Sequence, residues 1–276
     1  MTTISAGGMR MPKLGLGTWR MTGAGCTDAV LRALDHGYRH IDTAEMYGNE
    51  AAVGAALAGT DVPRGDIHLT TKVWWENLQP EAMRRSMETS LRKLRTPYVD
   101  LYLIHWPAPG MDLAAALGQM VRFQEAGIAR HIGVSNFTVA LLRQAVEDIQ
   151  APIVCNQVEY HVTLGQSRVL TCLRAKGLAL TAYCPLGRGG LAGNAVLERI
   201  AAKHGATAAQ VALAWLLGQD GVAAIPKASR NENQRANLAA LELSLDADDL
   251  AAIARLPKTD RLVDPAGFAP AWDPPA

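Results

Sequence analysis

Eight short apolar runs, each followed by a longer segment of polar and helical character, leave few folds open to this chain. The runs fall at residues 14–17, 40–43, 68–72, 99–105, 131–135, 153–158, 180–183 and 223–226. Strands of this length alternating with helical segments read as βα units on a parallel sheet, and eight parallel strands close a barrel. Apolar residues recur at helical spacing over 28–36, 81–94, 140–149 and 208–217, with Thr27, Thr138 and Thr207 placed as N-caps. Two more helical segments, 195–204 and 247–255, exceed the eight units, and Gly7-Gly8 signals a two-residue hairpin able to plug the closed end. The expectation is an α/β chain: one (β/α)8 TIM-barrel domain over residues 1–276, with an N-terminal β-hairpin and two accessory helices.

At 276 residues and 49% hydrophobic, with no Ser/Pro-rich linker, the chain has enough apolar material for one large core. A formal charge of +1 with interspersed signs offers no basic stripe for nucleic acid. The N-terminus lacks a basic region leading into an apolar stretch, and no apolar run is long enough to span a bilayer, so a soluble cytoplasmic protein is expected. Cys26, Cys155, Cys172 and Cys184 show no CxxC pairing and read as reduced thiols, with Cys155 and Cys184 as small core residues. His36 and His40 stand four apart, but Gly37 interrupts the helix and no third ligand cluster follows, so no metal is expected.

Four polar residues stand at or just beyond the ends of these strands: Asp42, Tyr47, Lys72 and His105. Barrel enzymes keep their chemistry at that rim. A free phenol has a pKa of about 10 and is a weak acid at neutral pH. A cation beside it favours the phenolate, and a buried lysine keeps its proton only if a carboxylate holds it. Lys72 fits the first role for Tyr47, Asp42 the second, and His105 can donate a hydrogen bond to a substrate carbonyl. Singly, these residues have ordinary explanations as a loop aromatic, a surface cation and a core histidine. Their placement in consecutive βα units favours the catalytic reading.

These residues lie in segments, Gly37-Tyr38-Arg39-His40-Ile41-Asp42-Thr43-Ala44, Thr70-Thr71-Lys72 and Ile104-His105-Trp106-Pro107, that resemble signature segments of the aldo-keto reductases. The resemblance continues through Gly133-Val134-Ser135-Asn136-Phe137, Asn156-Gln157-Val158-Glu159-Tyr160 and Ile225-Pro226-Lys227. It implies reduction of aldehydes and ketones with NADPH, with Ser135, Asn136 and Gln157 on the nicotinamide carboxamide and Tyr183 stacked on its ring. Gly17, Thr18 and Ile225 also fall to the cofactor site by this resemblance. A monomer is the family expectation. A non-catalytic NADP(H)-sensing or structural barrel is the rival reading, since the fold alone does not imply activity.

A tyrosine supplies a proton but no hydride, so a nicotinamide or flavin donor is required. Gly15-Leu16-Gly17 lacks the third glycine of a Rossmann turn and reads as a tight first strand. Barrels tend to bind phosphate after the seventh and eighth strands. There the chain has a glycine-rich loop, with Pro185, Leu186 and Gly187, and then Lys227, Ser229 and Arg230, which suit the extra phosphate of NADP. Asn237 keeps the family pattern, but Asn233 and Ala236 replace the usual arginine and glutamate, so NADH use is left open.

For the substrate, Trp19, Trp74 and Trp106 follow strand ends and suit an aromatic pocket, with His105 among them and Trp272 in a tail able to fold back over the opening. Trp215 reads as core. Within the family, segments 62–64, 75–78 and 260–265 resemble bacterial 2,5-diketo-gluconic acid reductases, a group similar to methylglyoxal and β-keto ester reductases. The short tail is expected to leave the pocket open and permissive, with Arg20 or Arg261 as possible partners of a substrate carboxylate.

Overall fold

Each barrel strand pairs in parallel with the next one along the chain in the computed structural model, which describes residues 2–274. A hairpin comes first: β1 (Thr3–Ala6) and β2 (Met9–Pro12) pair antiparallel in a register that ends at Ala6 and Met9. Gly7 and Gly8 between them have φ of 52° and 82°, the sense of turn that matches the twist of the strands. Ile4, Ala6, Met9 and Met11 pack with Leu101, Leu103, Val154 and Ala223, so the hairpin plugs the barrel with apolar side chains.

The barrel strands are β3 (Leu16–Gly17), β4 (His40–Asp42), β5 (His68–Val73), β6 (Val99–Ile104), β7 (Ala129–Ser135), β8 (Ile153–Glu159), β9 (Ala179–Tyr183) and β10 (Val222–Ala224). Closure joins the first and last: the Gly15 amide donates to Ala224 O at 2.9 Å and that of Gly17 to Pro226 O at 3.1 Å. A Cβ on Gly17 would stand 2.5 Å from Ile225 O, so the seam closes only around a residue without a side chain. The short first and last strands are thus the two sides of the seam, and the (β/α)8 expectation holds.

Around the strands lie α1 (Gly23–Asp35), α2 (Glu50–Gly59), α3 (Pro80–Leu94), α4 (Leu113–Glu125), α5 (Val139–Arg143), α6 (Ser167–Ala175), α7 (Ala195–His204), α8 (Ala208–Leu217), α9 (Asn231–Ala239) and α10 (Ala247–Ala254). Thr138 and Thr207 cap α5 and α8, the latter in a reciprocal box with Gln210. Thr27 is not a cap: α1 begins at Gly23, and the Thr27 hydroxyl donates to Ala52 O of α2 at 3.0 Å. After Arg143 the predicted 140–149 helix widens into a π-helical turn over Gln144–Asp148. Periodicity missed α2, α4, α6 and α9. Helix α2 is mostly alanine and glycine, with little contrast between its faces, whereas α9 buries polar Gln234 and Asn237. The Gln234 amide donates to Ala29 O at 2.8 Å and Ala228 O at 3.0 Å, so hydrogen bonds dock that helix where apolar contacts would dock another. Trp215, expected in the core, is half-buried and packs against the buried clusters from their edge.

At the starts of β4 and β5, His40 and His68 are register partners with ring centroids 4.9 Å apart. Burial pushes the His40 imidazole down to about 4 and that of His68 well below its ordinary value, so both fold as neutral rings. An unfolded histidine takes up its proton near pH 6.5, so stability is full above that value and falls as pH drops toward about 4. Between pH 7.5 and 5 the loss should be on the order of 2 kcal/mol for each such histidine. Urea unfolding at the two pH values should show it, and His68→Leu should shrink it. An undiminished loss in that variant would show that the pH dependence arises elsewhere.

Candidate active site

Asp42 ends β4, Lys72 stands on β5 and His105 follows β6, while Tyr47 closes a single 3-10 turn, Glu45–Tyr47, between β4 and α2. Parallel register brings the first three to one rim. Lys72 has no exposed surface, and its Nζ donates to Asp42 Oδ1 at 2.6 Å, Thr43 O at 2.8 Å and the Tyr47 hydroxyl at 3.3 Å. Asp42 Oδ2 accepts from Gln157 Nε2 at 2.8 Å. Tyr47 lies between Trp19 and His105, with ring centroids 4.8 Å and 5.6 Å away.

Burial pulls the Lys72 ammonium below its ordinary pKa, and the Asp42 carboxylate opposes that pull. Burial also pushes the Tyr47 phenol well above its usual value, and the negative charge of Asp42 adds to this. The sequence reading has Lys72 lowering this pKa; in the structure desolvation outweighs it, so the tyrosine rests as a protonated acid with a cation at its oxygen. His105 is driven well below the usual imidazole range, first by burial and then by the charge of Lys72. It is therefore a neutral ring. Its Nδ1 is buried without a hydrogen-bond partner. A buried, unpaired N–H is costly, so we assign the ring's single proton to Nε2.

A cavity of about 700 Å³ opens over this group, with Tyr47, His105, Trp19 and Trp106 among its lining residues. Asp42, Gly17, Asn136, Gln157, Tyr183 and Ile225 also reach it, as do Pro185, Leu186 and Lys227 from the loops after β9 and β10. Several other predicted site residues stand behind the wall. The Thr18 hydroxyl is spent on Asp42 O (2.9 Å) and that of Ser135 on Gln157 O (2.8 Å), while Asn237 is buried beside Tyr38. Gly187 is a buried part of the glycine-rich loop, and Ser229 and Arg230 are exposed beyond Lys227, whose Nζ donates to Ser229 Oγ at 3.2 Å. Trp74 backs His105 at a centroid distance of 5.3 Å, and Trp272 lies 6.0 Å from Trp106.

The tail does more than leave an opening. Phe268 stacks on Trp75 at 5.2 Å and meets the edges of Trp74 and Trp106 at 5.5 and 5.4 Å, so the C-terminal segment builds part of the aromatic wall. Its approach is set by Glu159, a fully buried carboxylate that accepts from the amides of Leu262 (2.8 Å) and Val263 (2.9 Å). Neither Phe268 nor this role of Glu159 was legible in the sequence, although a charged residue ending an apolar strand was a usable signal. Cys184 is not core: it is half-buried, lines the cavity and carries φ of 48°. Of the two arginines considered for a substrate carboxylate, Arg20 lines the cavity, and Arg261 is stacked on Trp272 with its Cζ 3.7 Å from the ring centroid.

A profile of the aldo/keto reductase family matches residues 13–258. The chain belongs to that family. Among known proteins it is similar to methylglyoxal reductase DkgB of Salmonella typhimurium, with 45% identity over 96% of this chain and all of that one, and to its namesake in Escherichia coli O157:H7, with 44% identity over the same shares. A crystal structure provisionally described as a 2,5-diketo-D-gluconic acid reductase B superposes with a TM-score of 0.96 at 42% identity, covering 99% of this chain and 98% of that one. An aldo/keto reductase from Brucella melitensis superposes at 0.88 with 38% identity, over 92% and 97% of the two chains. An oxidoreductase acting on carbonyls is the class that these relatives define.

The ion pair generates a stability prediction. Asp42→Ala leaves Lys72 buried beside a neutral neighbour and should cost about 3–5 kcal/mol, whereas Asp42→Ala combined with Lys72→Met should recover most of that loss. Urea denaturation of the three proteins measures both. A single variant within about 1 kcal/mol of the parent would mean that the pair is not fully desolvated.

Proposed function

We propose that this chain reduces aldehydes and ketones to alcohols with NADPH, and that Tyr47 delivers the proton. The observation that carries the proposal is the contact of one fully buried ammonium, Lys72, with both the Tyr47 hydroxyl (3.3 Å) and Asp42 (2.6 Å) at the floor of a cavity that His105 also lines.

The cavity fits a dinucleotide. It runs from Tyr47 past Asn136, Gln157 and Tyr183 to the glycine-rich loop and Lys227, and its lining includes three cations, Arg20, Arg188 and Lys227. Gln157 Nε2 is committed to Asp42, which leaves the Gln157 carbonyl to accept from a carboxamide, and Asn136 is pinned by Tyr183 OH (2.8 Å) and His105 O (3.0 Å). Bound there, a reduced nicotinamide supplies hydride. Arg188 and Lys227 suit its phosphates, and Lys227 with the neighbouring Ser229 and Arg230 favours NADPH. Asn233 and Ala236 weaken the adenosine side, so NADH is a slower alternative.

The residues then divide the work. His105 donates Nε2–H to the substrate carbonyl, which orients it and supports charge on its oxygen. Tyr47 gives its phenolic proton to that oxygen, and Lys72 stabilises the phenolate that forms. Asp42 keeps Lys72 charged throughout. Trp19 and Trp106 keep water from the reacting carbon. The names of the relatives favour methylglyoxal and 2,5-diketo-gluconate as substrates, and the sequence resemblance adds β-keto esters.

Consumption of NADPH should be followed with each of these carbonyls for the parent and Tyr47→Phe. The variant should bind NADPH as tightly as the parent yet lose most of its turnover, since only the proton donor is missing. Undiminished turnover by Tyr47→Phe would remove the tyrosine from the mechanism, and NADPH binding with no turnover on any carbonyl would favour a sensing role. Lys227→Met should raise KM for NADPH more than for NADH; an equal change would deny Lys227 the extra phosphate.

A further inference from the structure

Glu45 opens the turn that carries Tyr47, and its carboxylate accepts three hydrogen bonds from the next βα unit. The Trp74 amide donates to Oε2 at 2.9 Å, Asn77 Nδ2 to Oε1 at 2.8 Å, and Ser86 Oγ of α3 to Oε1 at 2.9 Å. Trp74 in turn presents its ring to His105, with centroids 5.3 Å apart at an interplanar angle of 74°. His105 needs that contact. Its Nδ1 has no hydrogen-bond partner, so ring contacts with Trp74 and Tyr47 set its orientation. Both residues assigned to the carbonyl oxygen therefore depend on Glu45, Tyr47 through two covalently following positions and His105 through Trp74.

The other flank of the turn is held separately. Asn49 donates to Thr18 O (2.9 Å) and Met21 O (3.0 Å) and accepts from Thr43 Oγ1 (2.7 Å), which ties the turn to the Trp19 side of the pocket. Asn49 leaves the Trp74 side free, and Glu45 is the side chain that spans it.

We propose that Glu45 is a positioning residue for proton delivery, fixing Tyr47 and, through Trp74, His105 in one geometry; this rests on the reductase reading above. A carboxylate suits the task because all three partners are donors and both of its oxygens accept. Glutamine would turn an N–H2 toward at least one of them.

The test uses Glu45→Ala, Glu45→Gln, Trp74→Ala and the double variant Glu45→Ala/Trp74→Ala, with methylglyoxal turnover and NADPH affinity measured for each. Misplacement of reacting groups by a fraction of an ångström to one ångström is expected to lower kcat about tenfold to a hundredfold in Glu45→Ala. NADPH affinity should stay within about twofold, because the cofactor-lining residues are elsewhere. The glutamine variant should fall between parent and alanine, and the double variant should be no slower than the slower single one, since both changes break the same link. Three results would overturn the proposal: kcat near the parent's, a kcat loss matched by an equal loss of NADPH affinity, or losses that multiply in the double variant. If Glu45→Ala does not fold, Glu45→Gln alone and combined with Trp74→Ala carries the same criteria. An inactive parent, or a fully active Tyr47→Phe, would instead bring down the reductase reading itself.

Discussion

A lysine with no exposed surface stays an ammonium only beside a counter-charge, and in this barrel Asp42 at 2.6 Å from Lys72 is that counter-charge. Removing two such ions from water costs several kcal/mol each even after relaxation, so the pair does not exist for stability. Its value is positional. The ammonium's remaining hydrogen bonds run to Thr43 O and to the Tyr47 hydroxyl, so in the proposed reaction the charge would already sit where phenolate develops, with no reorganisation needed. Burial raises the cost of the charge and, by excluding water, strengthens what the charge does to its neighbour.

The same pair organises the rim. Asp42 on β4 meets Lys72 on β5 and Gln157 on β8, so one carboxylate joins three strands across the barrel mouth. From Gln157 the connections continue: its backbone carbonyl accepts from Ser135 Oγ, Ser135 Oγ accepts from Asn136 Nδ2, and Asn136 Oδ1 accepts from Tyr183 OH. Asn136 holds this place with φ of 62°, a strained position for a residue other than glycine. A chain of satisfied polar groups in a low-dielectric rim is stiff, and a stiff rim keeps reacting groups in one arrangement.

Barrel topology and the four polar residues were legible because each left a local signature. The strands are apolar runs of the right length, and Asp42, Lys72 and His105 are charged or polar where such runs stop. Helical spacing marked α1, α3, α5 and α8, while α4 and α6 went unread although their apolar and polar faces differ. Alanine-rich α2 and amide-docked α9 gave no such contrast, and Thr27 looked like a cap because a helix starting at Gly23 has no side-chain cap to announce it. Contacts across the barrel were not legible. Thr18 and Ser135 carry the right chemistry for a binding site, but their hydroxyls are consumed by backbone carbonyls 24 and 22 residues away. Phe268 on Trp75 joins positions far apart in the chain, and nothing local in either segment foretells the stacking.

Two kinds of interaction meet in the pocket, and their strengths divide their roles. Aromatic contacts such as Trp19 with Tyr47 or Trp74 with His105 contribute about 0.5–1.5 kcal/mol beyond buried area and tolerate tilts and slides of the rings. Hydrogen bonds to a carboxylate are stronger, about 1.5–3 kcal/mol, and directional. An aromatic wall alone would therefore hold a substrate without holding a geometry. In this protein the rings form the surface, while Glu45 and Glu159 grip the backbone behind them, at Trp74 in one case and at Leu262 and Val263 in the other. The carboxylates behind the wall fix the backbone that carries it, Glu45 beside the turn of Tyr47 and Glu159 at the C-terminal segment.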